Sequence, residues 1–374
     1  MKIFHINSNY GFTYLHQKMI EKLDLTECEN QIFMPKSKDA NIVVTPNENV
    51  SIIDTFNKYD RLFFGYKQRK IFNKAKKFFD LTLYDIIHAY TLFTDGNTAN
   101  RLSKKYNKPY VVAIRDTDVN TFFRFMPHLR KRGIKIMREA SSVFFLSETY
   151  RKQVFEKYIP YKYQKEIKEK SYIIPNGIDD FWLENIPGNN KTLGEKIKFI
   201  HVGRINKIKN VTTTQKAIAI LKEKGYNVSF TAIGKIENKK EFNKICKDKN
   251  TKYIPAVPKE KLINLYRAHD IFVMPSHTET FGLVYAEAMS QGLPVIYTKG
   301  QGFDGQFEEG CVGFHVNSRD AFSIAKGIEK VIESYDSISG NVVKASQKFN
   351  WTKITDKYLQ IYKSIMAGEK NNAE

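Results

Sequence analysis

The chain has 374 residues, of which 42% are hydrophobic and 27% are charged, and its formal net charge at pH 7 is +20. Most single hydrophobic cores hold fewer residues, so we expect two domains. No apolar run approaches the roughly 18 residues of a transmembrane helix, and the first residues lack the apolar segment of a signal peptide. The three cysteines are scattered, which argues against a disulfide framework and favours a reducing cytoplasm.

In the first half of the chain, strand patterns alternate with amphipathic helix patterns. Strands are predicted in KIFHINS, YDIIHAY, KPYVVAIRDT and SVFFLS, and helices in FTYLHQKMIEKLD, NTANRLSKKY and RKQVFEKY. The stretch SYIIPNGID closes this half. Such alternation is typical of parallel sheets that carry helices on both faces.

The alternation restarts near residue 196. The stretches IKFIHVGR, NVSFTAIG, DIFVMPS and LPVIYT predict strands, and VTTTQKAIAILKEKGY and KEKLINLYRAH predict helices. The segment NIPGNNKTLGE, residues 185–195, is rich in Asn, Gly and Pro and predicts a linker. The predicted fold class is therefore α/β, with two Rossmann-like parallel-sheet domains, residues 1–180 and 196–350. Their strands would end at a shared central cleft, where ligands bind.

The stretch ETFGLVYAEAMSQGLPV, residues 279–295, places two acids beyond the strand predicted at 270–274. The first amides of the following helix lack internal partners and favour a phosphate, which Gly282 would allow close to the backbone. Glu279 would lie beside that phosphate. Glu287 lies eight residues further, a rotation of about 80° on a helix, so the two acids would bind different parts of one ligand. A diphosphate between two hydroxylated groups is a nucleotide-sugar.

The stretch HVGRINKIKN places Arg204 and Lys209 just beyond the predicted strand IKFIHV. Arginine contacts phosphate oxygens through a planar fork, and lysine contacts them as a point charge. These two cations would neutralise the charge that develops on a departing nucleoside diphosphate.

Taken together, these stretches resemble the retaining glycosyltransferases of family 4, which have the GT-B fold. The resemblance rests on VGRINKIKN, AIG, LYRAHDIFVMPSHTETFGLVYAEAMSQGLPVI, IIPNGID, GCVGFHV and WTKITDKYLQIYKSI, in the family's order. The first half of the chain matches mainly in its strand–helix pattern. The resemblance implies an acceptor-binding domain at 1–180, a nucleotide-sugar-binding domain at 196–350, and a helix in 351–374 that packs back onto the first domain. It also implies transfer with retention and without a metal.

The resemblance assigns roles to individual residues. Glu279 corresponds to a glutamate that contacts the donor sugar, and Glu287 to one that binds the ribose. Arg204 and Lys209 correspond to a basic pair on the diphosphate, and with Glu279 they form the implied catalytic set. The other implied donor-side positions are glycines and backbone amides close to the phosphates: Gly11, Gly203, Phe281, Gly282 and Leu283.

The chain departs from the family pattern after the fourth strand of the first domain. Many members carry a histidine-containing run there, whereas this chain has IRDTD, with Arg115 in the position of the histidine and Asp118 in that of the aspartate. Arg115 would steady a phosphate or an acidic acceptor, and Asp118 would bind an acceptor hydroxyl. His88, at the end of YDIIHAY, is a third acceptor-side candidate. Local structural roles are the alternative for His88 and Asp118, and a metal-binding pair is the alternative for Asp116 and Asp118.

Residues 61–170 hold 25 Lys and Arg against 10 Asp and Glu, a net charge of +15. Such a field favours an anionic partner. Within it, GYKQRKIFNKAKKFFD predicts an amphipathic helix, and TFFRFMPHLRKRGIKIMRE predicts a loop with a short helix that contacts a membrane or the acceptor. The alternatives are a lysine-rich solvated surface and a helix packed on the sheet.

The sequence therefore predicts a hexosyltransferase that uses a nucleotide-sugar, with a UDP-sugar favoured, and no metal cofactor. Its acceptor would be a glycan or lipid-linked glycan of a surface polysaccharide or glycolipid pathway, at the cytoplasmic membrane face. Alternatives are another GT-B enzyme, either a sugar-nucleotide epimerase or a transferase to a protein or small metabolite, and a nucleic-acid-binding protein. The last lacks a recognition motif or zinc spacing. The loop YIPAVPKEKL is expected to contribute to the base pocket.

Overall fold

The structure is a computed structural model that describes residues 1–44, 47–248 and 250–368, without the side chain of residue 61. The chain divides into two compact units. The N-terminal unit comprises Met1–Leu146, Tyr150–Asn176 and the chain from Trp351 onward, and the C-terminal unit comprises Ser147–Thr149 and Gly177–Asn350. Residues 369–374 of the predicted C-terminal segment lie outside the described residues.

The N-terminal unit contains a seven-stranded parallel sheet in the order β3-β2-β1-β4-β5-β6-β7. Its strands are β1 Lys2–Ile6, β2 Glu29–Ser37, β3 Val50–Phe56, β4 Ile86–Ala89, β5 Tyr110–Ile114, β6 Ser142–Phe145 and β7 Ser171–Ile173. Its helices are α1 Tyr14–Leu23, α2 Phe64–Phe78, α3 Asp95–Tyr106, α4 Pro127–Glu139, α5 Glu148–Tyr158 and α6 Tyr161–Lys168, with short turns at Tyr10–Phe12, Tyr59–Leu62, Leu81–Leu83 and Asp118–Phe123.

The central strands of this sheet are buried on both faces, which explains their continuous apolar sequences. Every residue of β4, β5 and β6 is buried, as expected where helices cover a parallel sheet. Strands β2 and β3 escaped the sequence prediction because polar residues and a proline interrupt ENQIFMPKS, and β3 is only partly buried.

The second basic stretch differs from its prediction. A short loop with a short helix was expected, whereas α4 runs for 13 residues from Pro127. Proline suits the first turn of a helix because the missing N–H would have no intrahelical partner there. Gly133 lies within α4, and its lack of a side chain lets the helix pack closely on Phe93, since a Cβ atom there would come 2.7 Å from that ring.

A final helix, α14, Trp351–Met366, belongs to the N-terminal unit. Its buried face includes Trp351, Ile354 and Tyr358, which pack in the cluster that also holds Ile86 of β4. The Tyr362 hydroxyl lies 2.6 Å from Nδ1 of His88, and both residues are fully buried. The last helix therefore completes the core of the first sheet.

The C-terminal unit contains a six-stranded parallel sheet in the order β10-β9-β8-β11-β12-β13. Its strands are β8 Ile197–Val202, β9 Val228–Ile233, β10 Thr251–Ile254, β11 Ile271–Val273, β12 Val295–Thr298 and β13 Gly313–Val316. Its helices are α7 Asp180–Glu184, α8 Val211–Glu223, α9 Lys239–Cys246, α10 Lys259–Arg267, α11 Leu283–Ser290, α12 Ala321–Glu333 and α13 Tyr335–Ser346.

Two parallel sheets with connecting helices confirm the predicted α/β class. In the second sheet the strand order reverses between β8 and β11, and in the first it reverses between β1 and β4. Crevices at such switch points are where open parallel sheets bind ligands. Among the residues that the structure describes, none of the helices combines the length and apolar character that crossing a membrane requires.

Candidate functional site

The loops that follow β8 and β11 hold most of the predicted donor-side residues. Because β8 and β11 are neighbouring parallel strands, both loops leave the sheet at the same edge. The loop after β8 carries Gly203, Arg204 and Lys209, and the loop after β11 leads through Glu279 to the start of α11. The switch point thus brings together residues that are some 70 positions apart in sequence.

Lys209 and Glu279 form an ion pair at this edge. The Nζ atom of Lys209 lies 2.5 Å from a carboxylate oxygen of Glu279, and the side chains are 15% and 11% exposed. Both backbones are held in place: Asn206 Oδ1 accepts the Lys209 N–H at 3.0 Å, and Gln301 Oε1 accepts the Glu279 N–H at 2.9 Å. An incoming anion would therefore meet a lysine that already has a carboxylate partner.

Arg204 pairs with a different carboxylate. Its Nη1 lies 2.9 Å from Glu237, which follows β9, and Asn206 Nδ2 donates to the other oxygen of Glu237 at 2.8 Å. Hydrogen bonding from Asn206, followed by that from Arg204, lowers the pKa of Glu237. The Arg204 side chain is 63% exposed and can turn to another anion at little cost. Glu237 was not predicted, because a lone acid in the stretch KIENKK gives no recognisable signal.

The backbone conformation and the packing of the turn require glycine at position 282. It caps the N-terminus of α11 with φ of +76°, and a Cβ atom there would lie 2.4 Å from the ring of Tyr285. Residues other than glycine rarely adopt this left-handed backbone conformation. The turn directs the first amides of α11, from Leu283 onward, away from the helix. Phe281 anchors the turn because its buried ring packs edge to face on Phe349.

A loop that follows β12 packs against this turn, and it was not predicted as part of the site. The Gly302 N–H donates to the carbonyl of Glu279 at 2.9 Å. A Cβ atom on Gly302 would lie 1.7 Å from the carbonyl oxygen of Thr280. The only available signal was the dipeptide pattern of Gly and Gln in KGQGF after a predicted strand.

Glu287 lies on α11 at the centre of a second group of polar residues. Burial, followed by repulsion from Asp179, raises the pKa of Glu287 to about 7. Asp179 in turn accepts a hydrogen bond from Lys259 at 2.8 Å. Lys259 is the first residue of α10 and lies in the stretch YIPAVPKEKL, which was expected as a loop near the base. The structure therefore places that loop and Glu287 around a common acid within the C-terminal unit.

His201 lies in β8, and Gly203 follows that strand at the start of the loop that carries Arg204 and Lys209. The Gly203 N–H donates to the carbonyl of Ile233 at 2.9 Å. A Cβ atom on Gly203 would make ordinary contacts, whereas one on Gly234 would lie 1.8 Å from the Gly203 carbonyl oxygen. The stricter requirement for glycine is thus at Gly234, within the AIG stretch. Burial, followed by the charge of Lys209, lowers the pKa of His201 to about 3, so this histidine is neutral.

Two of the N-terminal candidates lie in the interior of their unit. A Cβ atom on Gly11 would come 2.9 Å from side-chain atoms of Ile42 and Met34, so a larger residue there would have to displace these two side chains. His88 has no exposed surface, and burial is the largest cause of its pKa falling well below the usual value. The structure thus places His88 under α14, where Tyr362 bonds it, and not on an accessible acceptor surface.

Asp118 organises the loops that follow β4 and β5. Its carboxylate accepts the backbone N–H groups of Leu92, Phe93 and Arg115 at 2.9–3.1 Å. Burial nevertheless raises the pKa of Asp118 to about 6. The Arg115 guanidinium donates to Oδ1 of Asn176 at 2.6 Å. Both residues therefore have structural partners, and their roles toward an acceptor stay predictions.

Comparison with known proteins identifies the C-terminal unit. Residues 184–349 match the sequence profile of the glycosyl transferases group 1 family. This segment is similar in sequence to the glycosyl transferases of that group. The matched segment contains the Arg204, Lys209, Glu279 and Glu287 positions described above. A capsular polysaccharide biosynthesis glycosyltransferase, CapM of Staphylococcus aureus, is 33% identical over 147 residues, which cover 38% of each chain. The chain spans about a third of the length of the first curated relatives that it matches.

Solved structures resemble the whole chain. The sucrose-phosphate synthase of Thermosynechococcus elongatus aligns over 99% of this chain and all of its own, with a TM-score of 0.74 and 17% identity. HepE from Anabaena, solved with UDP-glucose, aligns over 98% of this chain and all of its own, with a TM-score of 0.65 and 19% identity. These alignments, which include the N-terminal unit, confirm the predicted GT-B fold.

Proposed function

We propose that this chain is a retaining glycosyltransferase that moves a hexosyl unit from a UDP-sugar to a glycan or lipid-linked acceptor. The observation that carries the proposal is the ion pair of Lys209 and Glu279 at the switch point of the second sheet, next to the start of α11. The family of residues 184–349 supports the transferase activity. The UDP-glucose bound by HepE supports the choice of uridine in the donor.

The proposed donor lies along the loops after β8 and β11. Its diphosphate would accept hydrogen bonds from the amides of Leu283 and its neighbours, at the positive end of α11. Arg204 and Lys209 would leave Glu237 and Glu279 to contact the phosphates, because a dianionic ligand is a stronger partner than a single carboxylate. The released Glu279 carboxylate would then accept hydrogen bonds from the sugar hydroxyls, and Glu287 those from the ribose.

The chemistry asked of the protein is stabilisation of the leaving group. As the bond between the sugar and the β-phosphate breaks, negative charge develops on the phosphate oxygens, and two cations and a helix N-terminus lie where they can stabilise it. Because these groups already supply positive charge, we propose that transfer needs no metal. The departing phosphate would assist attack by the acceptor hydroxyl on the same face of the sugar, which retains the configuration.

We also propose that the basic region, residues 61–170, holds the protein against an anionic membrane, in a surface polysaccharide or glycolipid pathway. The similarity to CapM supports this choice of pathway. Binding to vesicles that contain about 30% phosphatidylglycerol should weaken steeply with added salt. Equal binding to neutral and anionic vesicles would contradict this part of the proposal.

A thermal-shift screen with UDP, GDP, ADP and dTDP, together with their glucose conjugates, tests the donor site. A ligand that binds only the folded protein raises its melting temperature, by an amount that follows ligand concentration over Kd. We expect a shift with the uridine ligands, which Arg204→Ala reduces strongly. Lys198→Ala is a suitable control, because Lys198 is an exposed cation of β8 away from the loop. Shifts that are equal for all four bases, or unaffected by Arg204→Ala, would contradict the proposed site.

Product analysis then separates transfer from the other reactions. A transferase releases UDP in proportion to glycosylated acceptor, whereas an epimerase converts the nucleotide-sugar without any acceptor. Conversion of UDP-glucose to another UDP-sugar in the absence of acceptor would replace the proposed function with that of an epimerase.

A further inference from the structure

A cavity of about 580 Å³ lies in the N-terminal unit. One end is lined by polar residues that follow four strands: Ser8 after β1, Ser37 at the end of β2, Thr91 after β4 and Thr117 after β5. These strand ends lie on both sides of the reversal between β1 and β4. Open parallel sheets bind ligands in this position, and the volume falls within the ~300–1,000 Å³ of small-molecule sites.

Apolar side chains line another part of the cavity, beside Lys67 and His128. They include Leu62 and Phe64, from the start of α2 and the turn before it, and Phe122 and Met126, from the segment that leads into α4. The rings of Phe64 and Phe122 meet edge to face with centroids 5.9 Å apart, so the two segments form one wall. Leu62 is 79% exposed, an unusual position for a leucine that lines a cavity. Hydroxyl groups at one end and hydrocarbon at the other suit a ligand with the same division.

The segments that form the apolar wall also carry exposed rings and cations. Phe63 and Phe125 are 69% and 67% exposed. Lys67 Nζ lies 4.5 Å from the centroid of the Phe56 ring, and Phe56 also lines the cavity. Residues 122–135 contain five Lys and Arg and no acid. Apolar rings beside cations are the combination that enters the headgroup region of an anionic bilayer.

We infer that this cavity binds the acceptor and that the acceptor is a glycolipid. Its sugar lies among the hydroxyl groups at the strand ends, and the first carbons of its hydrocarbon chain lie along the wall of Leu62 and Met126. This inference rests on the proposed transferase function and deepens it by naming the chemical class of the acceptor. A free glycan would leave the wall in water, whereas each methylene that the wall removes from water strengthens binding about fourfold.

Paired ligands test the inference without requiring turnover. Methyl and n-octyl β-glycosides of glucose, galactose and N-acetylglucosamine, below micellar concentrations, are titrated into the full chain by calorimetry. We expect an octyl glycoside to bind at least about tenfold more tightly than the methyl glycoside of the same sugar. Leu62→Ser and Met126→Ser should each weaken the octyl glycoside about threefold or more. Leu25→Ser is the matched control, because Leu25 is 80% exposed and does not line the cavity.

The outcomes separate the two proposals. No measurable octyl glycoside binding, equal affinity for octyl and methyl glycosides, or equal losses in Leu62→Ser and Leu25→Ser would overturn the glycolipid inference. UDP binding by the same preparations is measured in parallel. Lost uridine specificity with intact octyl preference would refute the donor proposal alone, and intact UDP binding without octyl preference would refute the cavity alone.

Discussion

Replacement of Gly302 by alanine should weaken UDP binding by displacing the turn that is proposed to contact the diphosphate. The added Cβ atom would start 1.7 Å from the Thr280 carbonyl oxygen, and real Cβ contacts are essentially never shorter than 3.0 Å. The two loops must therefore separate by about 1.3 Å, the difference between these distances. That displacement moves the turn at Gly282, whose following amides are proposed to bind the diphosphate. Hydrogen bonds to charged groups contribute ~1.5–3 kcal/mol each, so the loss of one lowers UDP affinity by roughly 10- to 150-fold.

Titration calorimetry with UDP measures this effect, and circular dichroism checks that the fold remains. Gly194→Ala is the matched control, because no atom lies within 4 Å of the position of its added Cβ. We expect Gly194→Ala to bind UDP as the parent chain does. A folded Gly302→Ala variant with parental UDP affinity would show that the turn does not bind the diphosphate, or that the loop after β12 does not position it.

Three further predictions concern single side chains. Glu279→Gln should abolish transfer in a radiolabelled-sugar assay while UDP still binds, because the amide keeps the shape but not the charge of the carboxylate; normal turnover by a folded variant would remove Glu279 from the site. In the folded chain the pKa of Glu287 is about 7, above the 4.5 of an ordinary glutamate. The protonated carboxyl group therefore stabilises the fold at low pH, and this stabilisation declines as pH rises from about 4.5 through 7. Between pH 5 and 8, the melting temperature of the parent chain should therefore fall by at least about 3 °C more than that of Glu287→Gln. Equal falls in melting temperature would show that burial does not raise the pKa of Glu287. Tyr362→Phe leaves His88 Nδ1 without its buried partner and should lower the free energy of unfolding by about 1–3 kcal/mol, whereas Lys363→Met, which breaks an exposed ion pair, should change it little. Equal losses in chemical denaturation would show that the buried bond stabilises nothing.

Local pattern predicted the alternating fold because most strands here are covered on both faces. A strand such as β5, with every residue buried, is a continuous apolar run and is legible in one sequence. Strand β3 contains Asp54 and partly exposed residues, and its hydrogen bonds to β2 depend on a partner that no local pattern reveals. Strand β3 can therefore be assigned only when its pairing with β2 in the folded sheet is known.

The donor-side residues were found for a different reason. Arg204, Lys209 and Glu279 each lie just beyond a predicted strand, and topology alone places such positions at one edge of a sheet. Their pairing was beyond prediction, since the choice of Glu237 by Arg204 depends on where the loop after β9 runs. His88 illustrates the opposite case. A histidine at a strand end gives the same signal whether it meets a ligand or, as here, the hydroxyl of a residue 274 positions away.

The position of α14 affects how this chain folds during translation. The helix Trp351–Met366 completes the core of the N-terminal unit, although it is translated after every residue of the C-terminal unit. While the ribosome makes residues 177–350, the surface that will receive Trp351 and Tyr358 faces water. The C-terminal unit, by contrast, has its whole sequence by residue 350. A ribosome that stops at residue 350 would thus release a chain with a complete C-terminal unit and an N-terminal unit that lacks its last helix, which leaves apolar surface open to aggregation.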